Sequence, residues 1–193
     1  VGDADRERWN AKYEGAAEPA AAHPLAERAL TSPLPDGPVL DLASGPSGSA
    51  LLAARGGRDV LAVDISGVAL ARLTAAARRD GLSGRISVEE ADLEVWRPPP
   101  DAFALVLCTG YWDRALLGPA ARAVAPGGLL AWEAFTSDAR RARPSLPAEW
   151  CLAEGEPAAL LPAGFAVLDQ HDVPGGKRRL LARRADGSGG VAR

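Results

Sequence analysis

Val39-Leu40-Asp41-Leu42-Ala43-Ser44-Gly45-Pro46-Ser47-Gly48-Ser49 is followed by Val60-Leu61-Ala62-Val63-Asp64. The first block reads as a buried strand that ends in a glycine-bearing loop and runs into a helix. The second reads as another buried strand with an acid at its end. Glycines in such a loop let a ligand approach the backbone closely, and an acid about 20 residues past them sits where a carboxylate grips a ribose diol. The pair therefore predicts a nucleoside-bearing ligand bound across the first two strands of an α/β sheet.

Outward from this core, strand and helix signals alternate. The helix from about 47 ends at Arg55 before Gly56-Gly57, and Ser66 offers an N-cap to a helix that runs to Arg79 and is closed by Gly81. Strands follow at about 85–90 and 102–108. Ala102 to Cys108 is a continuous apolar run, the pattern of a strand buried on both faces. A helix over about 113–125 precedes Pro126-Gly127-Gly128 and a strand at 128–134. Residues 136–150, polar and rich in Arg and Pro, predict a mobile surface loop, and a short helix is expected near 155–162. Strands at 164–171 and 177–183 flank Pro174-Gly175-Gly176 and read as an antiparallel hairpin. Before the core, residues 5–15 suit a short helix carrying Trp9 and Tyr13 on one face, and a helix is expected around 20–30. The expectation is one α/β domain over 1–184, with 1–37 as a helical lid and 185–193 as a disordered tail. Its sheet has seven strands, mostly parallel with one antiparallel, and helices on both faces.

Composition narrows the function classes. The chain has 193 residues, 47% apolar and 24% charged, with a net charge of -3. One domain with a sizeable core fits that length, and the balance offers no bulk attraction to nucleic acid or an anionic membrane. Two cysteines, Cys108 and Cys151, imply no disulfide framework, and two distant histidines argue against a metal cluster, so no metal is expected. The charged start lacks the apolar core of a signal peptide, and no run is long enough to span a bilayer. A cytoplasmic location, as monomer or homodimer, is expected.

These motifs resemble those of class I S-adenosylmethionine-dependent methyltransferases. Asp41 through Gly48 is similar to the family's first motif, Asp64 to its second-strand acid, Glu90-Ala91-Asp92-Leu93 to its third motif, and Pro126-Gly127-Gly128-Leu129-Leu130 to the turn into strand five. Arg8-Trp9-Asn10-Ala11-Lys12-Tyr13 and Trp150-Cys151-Leu152-Ala153-Glu154-Gly155-Glu156 are similar to segments of the small bacterial tellurite-resistance and thiopurine-type enzymes. Ala43 and Ser47 depart from the motif, standing where relatives often carry Gly or Cys and a basic or glycyl residue. Tyr111-Trp112-Asp113-Arg114 stands where relatives show an aromatic-x-His-Arg run.

The resemblance implies a Rossmann-like single domain, S-adenosyl-L-methionine as cofactor, and a small-molecule acceptor such as a chalcogen oxyanion or a thiol. It assigns cofactor contacts to Asp41, Ala43, Ser44, Gly45, Gly48, Asp64, Ile65, Asp92, Leu93, Cys108 and Thr109, with Trp9 and Tyr13 as a cover. Tyr111, Asp113 and Arg114 fall at the acceptor. Methyl transfer from a sulfonium is an in-line displacement that needs alignment and a dry pocket more than a base.

Each residue has a plainer reading. Asp41 also suits a loop cap, Asp92 a turn, and Asp113 the cap of the helix after it. Trp9 and Tyr13 at helical spacing suit core packing. Cys108 suits a buried small hydrophobe. An NAD-dependent oxidoreductase lacks its G-x-G-x-x-G here, since 45–50 reads Gly-Pro-Ser-Gly-Ser-Ala. A non-catalytic binding protein on the same scaffold stays open, because fold does not establish activity. No RNA-binding module is visible.

Overall fold

The structure, a computed structural model, describes residues 2–15 and 21–187. The start of the helix expected around 20–30, and the tail from 188 onward, lie outside the described residues.

The elements run in chain order α1 (Asp3–Glu14), α2 (Pro24–Thr31), β1 (Val39–Leu42), α3 (Gly48–Arg55), β2 (Val60–Asp64), α4 (Gly67–Arg79), β3 (Ile86–Glu90), β4 (Phe103–Thr109), α5 (Arg114–Ala123), β5 (Val124–Thr136), α6 (Ala139–Ala142), β6 (Cys151–Leu152), β7 (Phe165–Val173) and β8 (Lys177–Arg184). One sheet holds them in the order β3-β2-β1-β4-β5-β8-β7. β8 runs antiparallel to both β5 and β7, and the other pairings are parallel. The expected seven strands become eight, because two-residue β6 adds parallel to the end of β5. A two-residue strand carries no periodicity by which sequence could announce it.

Apolar side chains of alternating parity build two cores. Val39, Leu105, Leu107, Leu129 and Ala131 face α2, α3 and α4, where Leu25, Leu51, Leu70 and Leu73 meet them. Leu40, Leu42, Val106, Leu130 and Trp132 face α5 and its Leu116 and Leu117. Each buried Val or Leu side chain among them contributes about 1.5–3 kcal/mol by leaving water. Ser47, Ser66 and Asp113 cap α3, α4 and α5 through their side-chain oxygens.

Three expectations need correction. Segment 1–37 is not one cover: α2 buries Leu25, Ala26 and Ala29 in the core, and only α1 lies outside it. α1 buries no residue, so Trp9 and Tyr13 are not core packing. The loop 136–150 contains α6 and a 3-10 turn at Ala148–Trp150, and the helix near 155–162 is a single 3-10 turn, Ala158–Leu160.

β1 lies between β2 and β4, so the chain leaves it toward opposite edges. The loops after β1, β2 and β4 converge at that reversal, on the carboxyl edge where α/β sheets bind ligands.

Candidate functional site

Asp64 ends β2 and is almost fully buried. Its Oδ2 accepts the Gly45 amide at 2.7 Å and its Oδ1 accepts the Ser66 amide at 2.8 Å. Burial raises its pKa, and these backbone donors oppose the rise. The carboxylate thus ties the loop after β1 to the loop after β2. Gly45 makes this turn at φ +57°, and a Cβ there would stand 2.8 Å from the Tyr13 hydroxyl. Ala43 holds φ +48° without glycine's freedom.

Asp41 lies beneath the loop. The Ser47 hydroxyl donates to its Oδ2 at 2.5 Å while accepting the Ala50 amide at 2.9 Å, so the acid sets the cap that starts α3. Full burial pushes the Asp41 carboxyl up to about 7; the Ser47 bond opposes this and the Asp64 charge adds to it.

Beside Asp64 opens a cavity of about 180 Å³, walled by Ala43, Ile65, Asp92, Leu93, Thr109 and Tyr111, with Trp9, Lys12 and Tyr13 of α1 as its roof. Trp9 and Tyr13 stack with centroids 6.0 Å apart, and the Lys12 ammonium lies 4.2 Å from the Trp9 centroid. Burial raises the Tyr13 phenol to about 12, with Asp64 adding to the rise. Polar ties hold α1: Asn10 Oδ1 accepts the Ser66 hydroxyl at 2.7 Å, and Arg72 donates to the Glu14 carbonyl at 2.6 Å.

Trp9, Gly110 and Tyr111 also border a second cavity of about 410 Å³. Trp112, Asp113, Arg114, Phe135, Glu149 and Trp150 stand around it. Asp113 Oδ1 accepts the Ala115 amide at 2.8 Å, and Arg114 pairs with the buried Glu156 at 2.7 Å. The cap expected of Asp113 is present, and both side chains still reach the cavity wall. The Arg8 guanidinium lies 5.4 Å from the Trp9 centroid and 4.9 Å from that of Trp150, bridging α1 to the turn before β6. Burial, with the Asp113 charge, drives the Tyr111 phenol far above its usual range, so it stays protonated.

The structure brings Trp9, Tyr13, Ala43, Asp64, Ile65, Asp92, Leu93, Thr109 and Tyr111 to one cavity, and Asp113 and Arg114 to the adjoining one. Ser44, Gly45 and Gly48 shape the loop and α3 without lining either cavity. Cys108 is corrected outright: it faces α5, fully buried beside Trp132, and its thiol donates to the Tyr111 carbonyl at 3.6 Å. Alternation along β4 sends Val106 and Cys108 to one face and Thr109 to the other. Lys12 was not foreseen in the first cavity, nor Asp5, Arg8, Phe135, Leu146 and Glu149 in the second. Arg8 and Lys12 share the Arg8–Tyr13 motif with Trp9, which is the one signal that pointed at them.

Among the described residues no group of three or more His, Cys, Asp or Glu side chains is placed to hold a metal ion. No helix among them is long and apolar enough to cross a membrane.

Residues 39–128 match the family described as "Methyltransferase domain". No curated protein sequence matches the chain. Solved structures share the fold at low identity. One, solved in work on conversion of a disulfide bond into a thioacetal group during echinomycin biosynthesis, is 19% identical with a TM-score of 0.70, over 96% of this chain and 94% of that one. An S-adenosylmethionine dependent methyltransferase from Mesorhizobium loti is 19% identical with a TM-score of 0.65, over 89% and 100%. The geranyl diphosphate C-methyltransferase of Streptomyces coelicolor A3(2), in complex with Mg2+, geranyl diphosphate and S-adenosyl-L-homocysteine, is 13% identical with a TM-score of 0.69, over 94% and 96%. The neighbours share the Rossmann-like methyltransferase fold, and residues 39–128, just under half of the chain, are similar to a methyltransferase domain.

Proposed function

We propose that this protein transfers a methyl group from S-adenosyl-L-methionine to a small-molecule acceptor. The observation that carries the reading is the junction of the two cavities. One is anchored by Asp64 and the Gly45 loop, the other opens past Tyr111, and Trp9, Gly110 and Tyr111 are common to both.

The residues present fit the cofactor. Asp64 would accept ribose hydroxyls, Ile65 and Leu93 would flank an adenine, and Asp92 would accept from its amino group; their lining of one cavity supports this. Gly45 leaves open backbone where a side chain would press on Tyr13, so an amino-acid tail fits there once Tyr13 withdraws. Asp41 acts through Ser47 and α3 as a positioning residue. The first cavity falls short of the roughly 300–1,000 Å³ of most ligand sites because α1 sits down upon it. α1 therefore serves as the cover, lifted for entry and closed for chemistry.

Bound cofactor supplies a methyl carbon activated by its positive sulfur. The chain's part is alignment and exclusion of water by Trp9, Tyr111 and Trp112. The protonated Tyr111 phenol donates a hydrogen bond rather than removing a proton, and Asp113 and Arg114 orient the acceptor.

Calorimetry with S-adenosylmethionine and S-adenosylhomocysteine tests the reading; absence of binding to folded protein overturns it. A thermal shift with NAD and none with either sulfur ligand would favour an oxidoreductase. Formation of S-adenosylhomocysteine with any acceptor excludes a purely binding role.

A further inference from the structure

We propose that the acceptor is a flat aromatic ring system bearing a basic amine, held in the cavity beyond Tyr111. The reaction step rests on the methyltransferase reading, whereas the ligand class rests on this cavity alone.

Three of the chain's five tryptophans, Trp9, Trp112 and Trp150, stand around the cavity with Tyr111 and Phe135. At about 410 Å³ the space lies within the range of small-ligand sites. Aromatic walls bury a flat ring through offset or edge contacts with little loss of side-chain freedom.

The rim decides the charge. Asp5, Glu94, Asp113 and Glu149 line the cavity with two cations, Arg8 and Arg114, and the Asp5 charge is matched by Arg8. Both cations are already engaged: Arg8 with Asp5 at 2.8 Å and over two tryptophan rings, Arg114 with Glu156 at 2.7 Å. An anion entering here meets carboxylates with no cation in reserve. An ammonium is attracted by the carboxylates of Asp113 and Glu149, since Arg8, Lys12, Arg143 and Lys177 already lie over the Trp9, Trp150 and Phe135 rings.

The chemistry balances. The bound ammonium gives a proton to a rim carboxylate, which passes it to water. The freed nitrogen lone pair forms the N–C bond as the S–C bond breaks, and that bond's electron pair stays on sulfur. The products are an N-methylammonium and S-adenosylhomocysteine.

Three probes share one ring and differ in charge: tryptamine, indole and indole-3-acetate. Calorimetry is run on the full chain with and without saturating S-adenosylhomocysteine. Tryptamine is expected to bind about tenfold tighter than indole-3-acetate, with indole between them. Trp150→Ala, at a half-exposed surface turn, is expected to weaken tryptamine at least about fivefold. Glu149→Gln, at an exposed position, is expected to narrow the gap between tryptamine and indole. Indole-3-acetate binding tightest, tellurite displacing tryptamine, or no ring binding by protein that binds S-adenosylhomocysteine would each overturn the proposal. Failure of S-adenosylhomocysteine to bind, with the tryptamine preference intact, would overturn the methyltransferase reading and keep the ligand class.

Discussion

The Asp64 carboxylate holds the Gly45 amide at 2.7 Å, so the residue proposed to bind a ribose also fixes the loop beneath it. Asp64→Ala removes both functions. Affinity for S-adenosylhomocysteine is expected to fall by about 2–3 kcal/mol through lost charge-assisted hydrogen bonds. Calorimetry checks the affinity, and unchanged binding contradicts the assignment.

Ala43 offers the opposite case, a substitution that strengthens the protein. A left-handed conformation costs an L-residue about 1–2 kcal/mol, whereas glycine's extra freedom in the unfolded chain costs about 0.5–1 kcal/mol. The difference favours glycine at φ +48°. Ala43→Gly is expected to stabilise the fold by about 0.5 kcal/mol, read as a higher denaturant midpoint with unchanged slope.

Two buried acids impose opposite pH trends. Asp41 is raised to about 7 by burial, so the native state binds a proton that the unfolded chain releases near 4. Its contribution is full below about pH 4 and is lost as pH rises through 7, at a slope of up to about 1.4 kcal/mol per unit. Asp41→Asn should flatten that slope in urea titrations of the ligand-free protein.

Burial pushes the Glu133 carboxyl up, but His23 at 3.0 Å and Lys177 and Arg179 at 2.7 Å outweigh it and hold it well below the ordinary range. Its contribution is present above about pH 4 and is lost as pH falls below that. Glu133→Gln leaves these cations short of their partner and should cost about 3 kcal/mol at neutral pH, read by chemical denaturation.

α1 buries nothing and hangs on polar ties such as Asn10 to Ser66 at 2.7 Å. Few buried contacts mean a low opening free energy. Its amides should exchange with deuterium far faster than those of β4, Asn10→Ala should speed them further, and S-adenosylhomocysteine should slow them. Equal protection of α1 and β4 in the free protein would contradict a mobile cover.

The central architecture was legible because Val39–Leu42 and Val60–Asp64 combine apolar strands with capped helices and a placed acid. Cys108 was misplaced for a definite reason: a strand buried on both faces hides its parity, and only packing against α5 reveals which side 108 takes. Trp9 and Tyr13 looked equally like core, since spacing on a helix does not say whether anything lies against it. Of the second cavity, the Tyr111–Arg114 wall was legible and the opposite wall was not. Arg8 and Trp150 meet only because α1 and the turn before β6 fold to the same edge, a relation absent from local pattern.

Trp9 belongs to both cavities, so on the proposed reading a single hinge would govern two exits. Spent cofactor and methylated product would then depart on the same clock, and the slowest event in each cycle would be set by how often one weakly held segment swings aside. Tightening Arg8's grip on Trp150 should therefore lengthen the residence of both molecules together.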